Sequence, residues 1–177
     1  MTWGGRFMLK LKKSRLSKPQ GYPETFGSLE VSEITGVSLR QLQWWDERGV
    51  VSPVQRGHKR MYRFNEVIEI GLITELRKKG ISLQKIRKVL RFLHKELGRG
   101  LFEAVQNGNE MHLLTDGRNI YLEDSHQNIV DILNSSRQPL ISVCITDQVR
   151  RLTAGEAIKK VLRSEHKTAA GRKSRAS

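Results

Sequence analysis

The residues best placed to do chemistry lie close together between Ser38 and Tyr62. Ser38-Leu39-Arg40-Gln41 opens a segment in which Leu39, Leu42 and Trp45 recur at helical spacing, so Arg40 and Gln41 fall in the first turn of a helix. An arginine fork can bond guanine O6 and N7 together, and a glutamine amide can bond adenine N6 and N7. Both pairings are made from the major groove of a duplex, which admits a single helix. A little further on, Val54-Gln55-Arg56-Gly57-His58-Lys59-Arg60-Met61-Tyr62-Arg63-Phe64 sets basic residues around a central glycine between β-favouring ends. This predicts a cationic hairpin, suited to gripping phosphate oxygens. Ser38, Gln43 and Trp44 on the helix, with Arg56, Lys59, Arg60 and Tyr62 on the hairpin, are the candidates for positioning a nucleic-acid backbone, while Arg40 and Gln41 would read bases.

The surrounding elements must hold these side chains. Leu29, Val31 and Ile34 suit a short helix that Gly36 ends. Ser38 caps the next helix, with Gln41 placed to reach back in a Ser-x-x-Gln capping box, and Gly49 with Pro53 stops it. Asn65 is expected to cap a third helix with Val67, Ile70, Ile73 and Leu76 inward, and Ser82 a fourth carrying Leu83, Ile86, Val89, Leu90, Leu93 and Leu97. Each helix has one apolar face, so the set must pack together, leaving Arg40, Gln43, Arg77, Lys78, Lys79, Lys85, Arg87 and Lys88 outside. Helix, glycine turn, helix and basic hairpin make a winged helix-turn-helix.

These residues resemble the mercury-resistance-type (MerR) transcription regulators. Gly36-Val37-Ser38-Leu39-Arg40-Gln41-Leu42-Gln43-Trp44-Trp45-Asp46-Glu47-Arg48-Gly49-Val50-Val51-Ser52-Pro53 is similar to that family's Gly-Val-Ser-x-x-Thr-Leu-Arg-Tyr-Tyr-Glu-x-x-Gly-Leu-Leu-x-Pro. The likeness continues through Arg60-Met61-Tyr62 and through Leu76-Arg77-Lys78-Lys79-Gly80-Ile81-Ser82-Leu83-Gln84-Lys85-Ile86, and it covers about residues 28–93. It implies a sequence-specific regulator that binds double-stranded DNA at promoters as a homodimer, paired through a long helix after the fourth helix and with an effector domain beyond that helix. Gln43-Trp44-Trp45 stands where the family has Arg-Tyr-Tyr, which removes one phosphate-facing cation and two hydroxyl groups. An indole N–H can still donate to phosphate from Trp44, whereas Trp45 shares a face with Leu42 and reads as core.

The remainder of the chain bounds this expectation. There are 177 residues with a formal net charge of +14. The excess sits at the two ends, where basic segments attract phosphate without regard to sequence, or serve as solvated tails. We expect a basic arm over 1–25 and a basic tail over 164–177, both without fixed structure, around a mainly α fold. That fold is a winged helix-turn-helix domain over 26–97, then a short helix and a small α+β lobe over 98–163. In the lobe, Asp116-Gly117 predicts a two-residue hairpin turn between Met111–Leu114 and Asn119–Leu122; Ile129–Leu133 fits either helix or strand; Pro139–Ile145 suits a buried strand; and Thr153-Ala154-Gly155-Glu156 would cap a helix ending near Arg163. Cys144 is the chain's single cysteine, and the five histidines form no ligand pair, so no metal site, cofactor or catalytic centre is expected. No apolar run reaches the roughly 20 residues of a membrane helix, and a cytoplasmic, nucleoid-associated protein follows. The lobe would take a small effector or a protein partner. The second case makes the chain an antitoxin-like or adaptor protein that autoregulates through its DNA-binding domain. A general nucleoid or RNA binder is the remaining alternative, suggested by the basic ends.

Overall fold

A computed structural model describes residues 21–98, 101–106 and 110–173; residues 1–20 of the expected arm over 1–25 and the last residues of the tail lie outside them, while the arm's last residues are structured, with Tyr22 stacked on Phe64 and Thr25 paired with Arg63. Strand β1 (Thr25–Gly27) leads into α1 (Ser28–Thr35), and the chain then turns toward α2 (Leu39–Glu47). Gly36 makes that turn at φ 73°, where a side chain would be strained, and its N–H donates to the Ser32 carbonyl at 2.9 Å. Strands β2 (Val54–Arg56) and β3 (Lys59–Arg63) form the expected hairpin, with Gly57 at φ 61° in its turn. The antiparallel order is β1-β3-β2, with Phe26 opposite Tyr62 and Val54 opposite Met61. Thr25-Phe26-Gly27 is too short to announce itself by alternation, and its pairing depends on a strand far along the chain.

Helix α3 (Phe64–Lys78) begins two residues earlier than expected. Its cap is the Glu66 carboxylate, which accepts the Arg63 N–H at 2.8 Å, while Asn65 Oδ1 accepts from the Phe102 N–H at 3.1 Å instead of capping. Phe64 is drawn in because it stacks on Tyr22, with ring centroids 4.3 Å apart, and meets Phe102 edge-on at 4.8 Å. The single apolar face expected for this helix is also wrong. Ile68, Leu72 and Gly71 are buried together with Val67, Ile70, Ile73 and Leu76, so α3 runs through the middle of the core. Buried Glu69 on this helix lies 2.7 Å from His94 Nε2 on α4 (Leu83–Leu97), which pairs its carboxylate. Helix α4 is one-sided as expected: Ser82 Oγ accepts from the Lys85 N–H at 3.4 Å, and Ile86, Val89, Leu90 and Leu93 are buried.

After α5 (Leu101–Gln106) come β4 (His112–Thr115), β5 (Ile120–Glu123), α6 (His126–Ser135), β6 (Ile141–Cys144), α7 (Ile145–Ala154) and α8 (Glu156–Lys173). The second sheet is antiparallel in the order β5-β4-β6, so β6 is an edge strand with Val143 opposite Leu113. The β4–β5 connection is four residues long, not two. Asp116 stays at negative φ and its carboxylate accepts the N–H groups of Arg118 and Asn119 at 2.6 and 2.7 Å, leaving the left-handed position to Gly117. Those bonds hold the Asp116 carboxyl below its ordinary pKa. Residues 129–133 are helical, within α6. Helix α7 is hidden in the sequence, because Thr153 reads as a cap; its hydroxyl instead bonds back to the Val149 carbonyl at 2.9 Å inside α7, and Gly155 separates α7 from α8. Helix α8 continues to Lys173, past Arg163, the expected helix end; the stretch from Ser164 to Ala170 contains no proline or glycine to stop it.

The last two helices fold back onto the first domain. Helix α7 packs on α3 and α8 on α1, and Ile145, Val149, Ile158 and Val161 join the same buried cluster as Val31, Ile70 and Leu76. Gly71 permits this approach, since a Cβ there would stand 2.6 Å from Leu152 Cδ1. Gly71→Val should therefore cost about 1–3 kcal/mol of stability by overpacking, and Leu152→Ala should recover part of that loss in the double variant. Urea unfolding of the four proteins measures the coupling; strictly additive losses would separate α7 from α3.

Candidate nucleic-acid interface

Helix α2 forms where it does because both of its ends are specified. Ser38 Oγ accepts the Gln41 N–H at 3.2 Å, and Gln41 Oε1 in return accepts from the Ser38 N–H at 3.3 Å and from its hydroxyl at 3.1 Å. Leu42 and Trp45 anchor the inner face, at 1% and 5% exposure, as expected for Trp45. The outer face presents Arg40, Gln41, Gln43, Trp44, Glu47 and Arg48. Gln43 Nε2 donates to Glu47 Oε1 at 2.8 Å, and the Arg48 guanidinium lies 5.4 Å from the centroid of the Trp44 ring, which holds that exposed indole.

The hairpin is tied to α2 by one carboxylate. Asp46 Oδ2 accepts from Arg60 Nε at 2.7 Å and from Gln55 Nε2 at 3.4 Å, so both hairpin strands are bound to the helix. The hydrogen bond to Asp46 raises the Arg60 pKa above its already high ordinary value. At the far end of the hairpin Arg56 pairs with Lys59 across the turn, and both are exposed beside Gly57 and His58. The arrangement is therefore a helix turn carrying Arg40, beside a cationic loop held at a fixed position.

Among the residues singled out from sequence, Arg40, Gln41, Gln43 and Trp44 are brought together on α2, and Arg56 with Lys59 at the hairpin tip. Ser38 and Gln41 stand at the start of the helix but are engaged with each other; for Gln41 to grip adenine with both amide atoms, Oε1 must leave Ser38. Arg60 is partly exposed and committed to Asp46. Tyr62 requires a correction. It is fully buried, because β3 alternates and Tyr62 faces inward opposite Phe26, so it cannot reach a phosphate. Asp46 and Arg48 carried no local signal, since the partner of Asp46 is remote in sequence and Arg48 acts through a cation–π contact.

Two short helices joined by the Gly36 turn, with the hairpin beside them, define a helix-turn-helix segment. Residues 28–93 match the family described as MerR HTH family regulatory protein. The chain is similar to the uncharacterized HTH-type transcriptional regulator Rv1830 of Mycobacterium tuberculosis, at 29% identity over 126 residues, 68% of this chain and 52% of that protein. It is also similar to the HTH-type transcriptional regulator GlnR of Bacillus cereus, at 33% identity over 61 residues, 34% of this chain and 47% of that one. The chain spans about half the length of these relatives. Among the described residues no helix is long and apolar enough to cross a membrane.

Burial is the main cause that pushes the Tyr62 phenol above its ordinary pKa, and the neighbouring Ser28 offsets only part of it. The folded chain thus keeps this proton at a pH where the unfolded chain, titrating near about 10, has lost it. The contribution is complete below that value and disappears as pH climbs through the folded pKa. The difference between ultraviolet titrations of the natural chain and of Tyr62→Phe should assign to Tyr62 a transition above the ordinary phenol range or at alkaline unfolding. A Tyr62 transition at the ordinary phenol value would return it to the surface.

Proposed function

We propose that the chain is a sequence-specific regulator of transcription that binds double-stranded DNA at promoters as a homodimer, in the cytoplasm and associated with the nucleoid. The carrying observation is the exposed first turn of α2 held beside a cationic hairpin by Asp46. In this reading α2 enters the major groove, Arg40 bonds a guanine edge, and the hairpin acts as the wing, with Arg56 and Lys59 on phosphate. Gln43 and Trp44 flank Arg40 and meet the backbone, Trp44 with its indole N–H. Ser38 and Gln41 hold the helix start, Gln41 reading a base when its amide swings away from Ser38. Arg60 serves first as the strut between hairpin and helix. A single module of this size spans few base pairs, so a dimer on paired half-sites supplies the specificity.

The lobe supports a second role. Helix α6 contributes no buried side chain, and Val130 and Leu133 remain 48% and 46% exposed. This favours a protein partner there, as in an antitoxin-like or adaptor protein, over an enclosed small-effector site. Co-purification distinguishes the two: a regulator is recovered alone or with a small molecule, an antitoxin-like chain with a neighbour-encoded protein.

Arg40→Ala should cost about 1–3 kcal/mol on the preferred duplex and relax selection at one base position. Lys59→Ala should weaken all duplexes alike and lower the salt slope by about one. Binding isotherms over a salt series on preferred and scrambled duplex separate these outcomes. Equal losses on both duplexes for Arg40→Ala would remove the base-reading role.

A further inference from the structure

Leu39 is the first residue of α2 and is 45% exposed, although its spacing from Leu42 and Trp45 places it on their buried face by pattern alone. At about 100° per residue it lies about 60° from Leu42, about 120° from Trp45 and only about 40° from Gln43. It therefore stands on the rim of the outer face, one turn before Gln43 and beside Arg40. A lone exposed leucine is ordinary on a protein surface. Its place here is not: every other outward residue of the helix's first turn is polar, and this is the turn that carries Arg40. In the major groove the base edges offer donors, acceptors and one apolar group, the C5 methyl of thymine.

We infer that Leu39 is a specificity-determining residue that packs its isobutyl group on a thymine methyl in the bound duplex. The inference rests on the DNA-binding reading above. Arg40 would fix one position through guanine O6 and N7, and Leu39 would select thymine at a neighbouring one by burying apolar area. Removing a buried methyl is worth about 0.8 kcal/mol, or about fourfold in affinity. Leu39 makes no cap and anchors no core, so shortening it leaves the helix in place.

The test replaces deoxythymidine by deoxyuridine, one position at a time, in the duplex that the full chain prefers. This substitution removes the methyl and leaves every hydrogen-bonding group. With the natural protein one position per half-site should lose about fourfold in affinity. With Leu39→Ala that same position should show no difference between thymine and uracil, while Leu39→Ile should retain part of the preference. Unfolding curves of Leu39→Ala should overlay those of the natural chain. The inference is overturned if every thymine position gives the same ratio with the natural chain and with the Leu39→Ala variant, or if Leu39→Ala melts well below the natural protein, which would make Leu39 a core residue. If no duplex is preferred at all, the DNA-binding reading fails first and takes this contact with it; a preferred duplex that is indifferent to the methyl removes the Leu39 contact alone.

Discussion

The Asp46 carboxylate fixes the one relationship on which the proposed interface depends, the position of the hairpin relative to α2. It accepts from Arg60 on β3 and Gln55 on β2, so the two strands cannot drift from the helix separately. Partly exposed ion pairs contribute little to stability, about 1 kcal/mol or less. The consequence of this pair is geometric: a helix and a loop that must meet groove and phosphate together are held before the duplex arrives, which lowers the ordering cost of binding.

Behind that surface the core is organised around α3. Its burial follows from layers meeting on it, α1 with β3 of the first sheet and α4, α5 and α7 around the remainder. The lobe is thereby docked to the helix-turn-helix domain and does not trail from it. The contact of the β4–β5 turn with α4 points the same way, since Lys85 Nζ donates to the Asp116 carbonyl at 3.4 Å. Helix α8 closes the arrangement on α1, where Lys160 lies 3.6 Å from Glu33.

The sequence reveals what is set locally. Ser38 with Gln41, Gly36, Gly57 and Ser82 specify caps and turns within a few residues, and each does in the structure what its type predicts. It conceals what depends on distant partners. Asn65 reads as a cap because Phe102, which it binds, lies remote in sequence, and the all-round burial of α3 is hidden because α7 supplies the cover. Thr153 fits a cap and a helix end equally well until the preceding residues are known to be helical. Within the candidate site, Arg40 and Lys59 are legible as exposed polar residues at predictable positions. Tyr62 is not, because a tyrosine in a short strand can face either way, and only the pairing of β1 with β3 turns it inward.

The central claim is that α2 and the hairpin recognise a particular duplex sequence, and the most direct measurement is selection by the full chain from a pool of randomised double-stranded DNA. The expected result is enrichment of a short motif containing guanine, repeated with the symmetry of a dimer. A pool recovered with its starting composition, bound by charge alone, would contradict it.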